Sequence, residues 1–179
     1  FVLTDGDGGT SNNCDTTVAF TPTSSTLWVS SKTSATVLAG NGGITYTDGV
    51  AAQVGDPSLA FGSGTSNGTF AALFDLDTFA ADGNADINGL HYVEKTVVVG
   101  TTNPVTLQAG DVLLTTGANE TLGGVAVTTQ QIVLFRPTTV ADYSSGTFSV
   151  LMTNPGNTGA NIRDFALVES AVTVGGTAL

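Results

Sequence analysis

The chain has 179 residues, 41% of them hydrophobic, which is enough apolar side chain for the core of one domain or of two intimately packed repeats. Only 11% are charged and the formal net charge is −11, because Lys32, Lys95, Arg136 and Arg163 are the only cations. Four scattered cations build no basic patch, which argues against nucleic acid and against an anionic membrane surface as partners, and no apolar run is long enough to insert in a membrane.

No stretch sustains a helical period. Apolar residues come in short runs rich in Val, Ile, Leu, Phe and Thr, closed by Gly, Asn, Asp and Pro, which is the punctuation of strands. In chain order, residues 1–4 read as a strand and 5–9 as a tight turn. A strand at 16–20 is closed by Pro22, and a strand at 26–31 carries Trp28 as a core anchor. Residues 36–39 and 44–47 form a hairpin across Gly40-Asn41-Gly42-Gly43, which supplies the positive-φ positions of a tight turn. Residues 51–64 read weakly, with a short strand at 59–61. A firm strand follows at 69–76, then a loop at 77–83 that admits one helical turn at 78–81. Strands at 87–93 and 96–100 are joined through a turn at Glu94-Lys95. Further strands are read at 105–107, 112–115, 125–128, 131–136, 147–153, 162–168 and 171–174. The expected fold is all-β: a β-sandwich-like single domain over 1–179, built from related β units.

Those units are visible as repeats. The segment 85–100, ADINGLHYVEKTVVVG, returns at 160–175 as ANIRDFALVESAVTVG. Ala85/Ala160, Ile87/Ile162, Val93/Val168, Glu94/Glu169, Val97/Val172, Val99/Val174 and Gly100/Gly175 are identical; Leu90/Phe165 and Tyr92/Leu167 keep their character. Upstream, Gly68-Thr69-Phe70 is echoed by Gly146-Thr147-Phe148, so the matched blocks span 68–100 and 146–175. A fainter echo relates Val18 to Thr23 with Val133 to Thr138, and Val2-Leu3-Thr4 with Leu113-Leu114-Thr115. The two ends of the chain thus read as halves of one β unit. Either they meet within one molecule, or the N-terminal strand of one copy completes the C-terminal unit of the next.

The pieces DINGLHYVEKTVVVG, QQIVLFRPTT and GTFSVLM resemble blade-like β repeats of secreted bacterial surface proteins. The resemblance covers one unit, residues 86–152, and implies a propeller-like strand order. About three units are fewer than the four blades at which closed propellers typically begin. That favours a sandwich, with propeller-like blades completed between chains as the alternative. In size and composition the chain is also similar to strand-donating extracellular filament subunits.

Few residues are equipped for chemistry. His91 is the only histidine and its echo is Ala166, so it reads as structural; no catalytic arrangement can be assembled, and an enzyme is not expected. Cys14 is alone, so there is no intrachain disulfide framework, and it reads as a small buried or half-buried residue rather than an intermolecular bridge. Asp75, Asp77, Asp82, Asn84 and Asp86 place oxygen ligands at alternate positions around one loop, which suits calcium, a hard cation that takes about six to eight oxygens. The spacing is not that of an EF-hand, and the echo of the loop lacks the acids, so a solvated acidic turn is the competing reading. Asp5 and Asp7 form a second acidic turn. Asn67 and Asn119 stand in glycosylation acceptor patterns.

Scarce lysine, abundant Thr, Ser, Asn and Gly, and Phe1 as a first residue suited to a processing site suggest an extracellular or cell-surface protein; no signal peptide is read in the chain. The expected function is a structural subunit of an extracellular filament or surface layer. It would be joined to copies of itself head to tail by an N-terminal strand within 1–20, centred on Phe1, Val2, Leu3 and Thr4. The alternatives are a calcium-dependent carbohydrate- or surface-binding module, and a closed, non-catalytic repeat domain of a larger surface protein.

Overall fold

The computed structural model describes residues 27–31, 33, 35–36, 45–55, 69–154, 159–170, 173–174 and 177–178. The readings at 1–4, 5–9, 16–20 and 59–61, Cys14 and Asn67 lie outside them. The fold is all-β and sandwich-like, built from antiparallel sheets, and no closed barrel or propeller forms among the described residues. The strands are β1 (Leu27–Val29), β2 (Ala35–Thr36), β3 (Thr45–Tyr46), β4 (Val50–Gly55), β5 (Thr69–Asp75), β6 (Ile87–Tyr92), β7 (Val97–Val99), β8 (Val105–Leu107), β9 (Val112–Thr116), β10 (Glu120–Leu122), β11 (Val125–Val127), β12 (Gln131–Thr139), β13 (Asp142–Thr153), β14 (Thr173–Val174) and β15 (Thr177–Ala178). A 3-10 turn, Leu76–Phe79, follows β5.

A three-stranded sheet, β1-β4-β5, packs on a four-stranded sheet, β13-β12-β9-β6; four two-stranded ribbons complete the described structure. Period-two alternation explains the layers. From β9, Val112 and Leu114 join Val133 and Phe135 of β12 and Ile87 of β6 on the inner face, against Ala51 and Phe74 from the other sheet and Leu76 from the 3-10 turn. Leu113 and Leu134 point the other way, into a second cluster with Val93 and Leu107. The β7-β8 ribbon and the half-buried Phe165 and Leu167 cover that outer face. Central β9 is therefore buried on both faces and every one of its residues is inaccessible, as its unbroken VLL run requires.

Phe135 lies at the centre of the inner cluster, with ring centroids 4.9 Å from Phe74, 5.2 Å from Phe79 and 4.9 Å from Phe148. The strand opposite must leave room for it. A Cβ added at Gly146 would sit 2.5 Å from the Phe135 ring and 2.5 Å from the Arg136 carbonyl. Trp28 anchors the rim, 5.0 Å from Tyr92 and 5.2 Å edge-on from Tyr143.

Several expectations hold. β2 and β3 pair antiparallel, with the predicted turn at 40–43 outside the described residues, and β5, β6, β8, β9 and β11 lie where they are read. Other details differ. The Glu94-Lys95 turn does not fold β6 onto β7. β6 pairs with β9, and β7 with β8, because Val93 stays bonded to the 110–111 turn through Val93 N–H to Asp111 O (3.0 Å) and Gly110 N–H to Val93 O (2.9 Å). Residues 162–168 form no paired strand. They lie over the outer face of the sheet, alternating between half-buried and exposed side chains. The strand read at 131–136 continues to Thr139, because Pro137 falls at a register irregularity where a ladder N–H is not needed. The alanine-rich β4 replaces the weak reading at its position.

Candidate functional site

The acidic loop leaves β5, passes through the 3-10 turn and returns as β6. Its carboxylates hold the loop's own backbone. Asp75 Oδ1 caps the 3-10 turn by accepting Asp77 N–H (3.1 Å). Asp77 uses both oxygens, one for Ala85 N–H (2.8 Å) and one for the Thr47 hydroxyl (2.7 Å). Asp82 accepts Asn84 N–H (3.1 Å) in a local Asx turn. The side chain of Asp86 packs beside Gly117, whose N–H donates to the Asp86 carbonyl at 3.1 Å. Among the described residues no group of three or more His, Cys, Asp or Glu side chains is arranged to hold a metal ion. Asp75, Asp77 and Asp82 thus each commit carboxylate oxygen to the loop's own backbone.

The structure adds an acid to this loop that is separated from it in the sequence. Ala81 N–H donates to Thr121 O (3.0 Å) and Gly123 N–H to Phe79 O (2.9 Å), which brings β10 against the loop. Asp82, Asn119, Glu120 and Thr121 then line one open cleft. Burial raises the Glu120 carboxyl above its ordinary value, and Asp82, Asp86 and Asp77 push in the same direction. Asn119 is exposed on the rim of this cleft, its side-chain oxygen accepting Thr129 N–H at 3.3 Å, so the second glycosylation acceptor is sterically open.

A second constellation ties the two copies of the repeat together. The Glu169 carboxylate, 13% exposed, accepts Glu94 N–H (3.0 Å) and Lys95 N–H (2.7 Å), and sits 2.9 Å from His91 Nε2. The lone histidine is thus paired with a carboxylate. Glu169 also takes the two amides that a Glu94-Lys95 hairpin turn would have had to place. Gly89 lets the second copy approach, since a Cβ there would lie 3.3 Å from the Arg163 carbonyl and 3.3 Å from Asp164 Cα. Nothing local in the sequence marks Glu169; only its identity with Glu94 in the repeat singles it out.

Burial raises the Glu169 carboxyl, but the Glu94 amide, His91 and the Lys95 amide outweigh it, and the net shift is downward from 4.5. A carboxyl whose folded pKa lies below its unfolded one contributes stability above the unfolded pKa and loses it as pH falls through the folded value. The clamp should therefore be intact at neutral pH and be lost in acid, as pH falls through the lowered folded value. Glu169→Gln is expected to cost about 1–2 kcal/mol at neutral pH and to flatten the acid limb of the stability curve; denaturant titrations from pH 7 to pH 3 check this.

No family model, curated protein or solved structure matches the chain.

Proposed function

We propose that the protein is a non-catalytic structural subunit of an extracellular or cell-surface assembly, joined to copies of itself head to tail by strand addition. One strand carries this reading. β13 runs for twelve residues at the end of the four-stranded sheet, and no strand pairs with its outer edge among the described residues. Val150 and Met152 on it are 38% and 43% exposed. A long edge with unpaired backbone groups and exposed apolar side chains recruits another strand unless it is covered.

Phe1, Val2, Leu3 and Thr4 supply the complementary chemistry: an uncharged run whose period-two alternation fixes a register. A contact between two different surfaces of one chain need not close and can propagate as a filament. With only 11% charged residues, few carboxylates must be desolvated as copies meet. Deleting residues 1–8 is expected to leave the circular dichroism of the domain intact and to abolish polymers in sedimentation velocity. Polymers of ordinary size from the shortened chain would refute strand donation.

A further inference from the structure

Within one chain the second copy of the repeat lies beside the first, and the contact follows the repeat itself. Glu94 and Glu169, joined by a hydrogen bond from the Glu94 amide, are 75 residues apart. The sequence offset is the same, from Ala85 to Ala160. Contacts advance together along both copies: Gly89 against Arg163 and Asp164, His91 against Phe165, then Glu94 and Lys95 against Glu169. The copies therefore run side by side in one direction and in register.

The first copy is covered by this arrangement and the second is not. Val93 is 0% exposed, while its echo Val168 is 51% exposed. The amides of Glu94 and Lys95 are taken by a carboxylate, while those of their echoes, Glu169 and Ser170, donate to no acceptor among the described residues. The Glu169 carboxylate is engaged. Its echo, the Glu94 carboxylate, is exposed and has no partner among the described residues.

We infer that a second copy of this chain supplies the missing cover: the Glu94 carboxylate of one subunit accepts the Glu169 and Ser170 amides of the next, beside the exposed Val168. Tyr92, the echo of Leu167, is held within its own chain against Trp28 at 5.0 Å, so the contact falls to the Glu94 carboxylate. Repeat units with an open end are completed by stacking a further unit, and this contact joins unlike surfaces, so it propagates. Ala166 stands where His91 stands in the first copy, so the intermolecular clamp has two donors rather than three and is weaker than the internal one.

This contact rests on the head-to-tail reading above and is separable from it. Glu94→Ala removes the exposed carboxylate but keeps the backbone amide that Glu169 uses, and Val168→Lys places a charge at the exposed echo position. Each variant is expected to raise the threshold concentration for assembly, measured by sedimentation velocity, by roughly ten- to a hundred-fold, the first by losing one or two charge-assisted hydrogen bonds and the second by burying an unpaired charge. The melting temperature of the dilute monomer should stay unchanged. If both variants assemble at the wild-type threshold while the chain lacking residues 1–8 does not, the stacking contact is wrong and strand donation survives. If the wild-type chain stays monomeric at every concentration, both fall.

Discussion

Phe135→Ala should lower the unfolding free energy by about 4 kcal/mol, a large share of the 5–15 kcal/mol typical of a domain. Phe135 is 0% exposed and its ring lies within 5.2 Å of three other rings, Phe74, Phe79 and Phe148, which come from both sheets and the 3-10 turn. Truncation removes the transfer free energy of the ring and leaves a cavity whose walls are pinned by two hydrogen-bonded sheets, so little collapse can repay it. Gly146 lies directly opposite the ring and has no side chain that could swing in to fill the gap. Phe135→Leu keeps more of the volume and should cost roughly half as much. Urea denaturation reads both; a loss below about 1 kcal/mol for the alanine variant would show that the two sheets do not share this core.

Arg136→Met should cost about 3 kcal/mol, for an electrostatic reason. The Asp111 side chain is 2% exposed and receives Arg136 Nε (2.9 Å) and Nη2 (2.6 Å) through a two-pronged fork. Nη2 also donates to the Thr106 carbonyl at 2.9 Å, which ties β12 to β8. Without the guanidinium, Asp111 keeps the Gln108 amide at 2.7 Å but remains a buried carboxylate with no cation. Desolvation then opposes folding. Removing the charge along with its partner should recover most of the loss, so Asp111→Leu combined with Arg136→Met is expected within about 1 kcal/mol of the wild type. Arg136→Lys should rescue poorly, because an ammonium cannot span two carboxylate oxygens and a carbonyl in one plane. A double variant as unstable as Arg136→Met alone would contradict this assignment.

The parts of this fold that could be read from the chain are those where local pattern and burial agree. The VLL run of β9, the IVLF run of β12 and the alternating β6 each carry their own signature. β4 does not. Ala51 and Ala52 are both 0% exposed, buried because small side chains allow close approach, and alanine carries little strand preference by itself. Residues 162–168 failed in the opposite way. Their alternation is genuine, but it reflects one side lying on the sheet's outer face rather than a place in a ladder, and alternation alone cannot tell these apart. The acidic loop shows the limit for sites. Asp75, Asp77 and Asp82 alternate as calcium ligands might, yet each is within three residues of an amide it caps or is reached by one from across the loop. Glu120, the Asp111–Arg136 pair and the Glu169 clamp depend on contacts 25 to 78 residues apart in the chain, which no local pattern encodes.

In the proposed assembly the second β unit of each chain is left incomplete and is finished by its neighbour. Hydrogen exchange at Val168, Glu169 and Ser170, compared between dilute and concentrated protein, reads this most directly. Rapid exchange in the monomer and protection in the assembled form are the predicted result. Equal exchange of these amides in both, or a chain that never assembles, would contradict it.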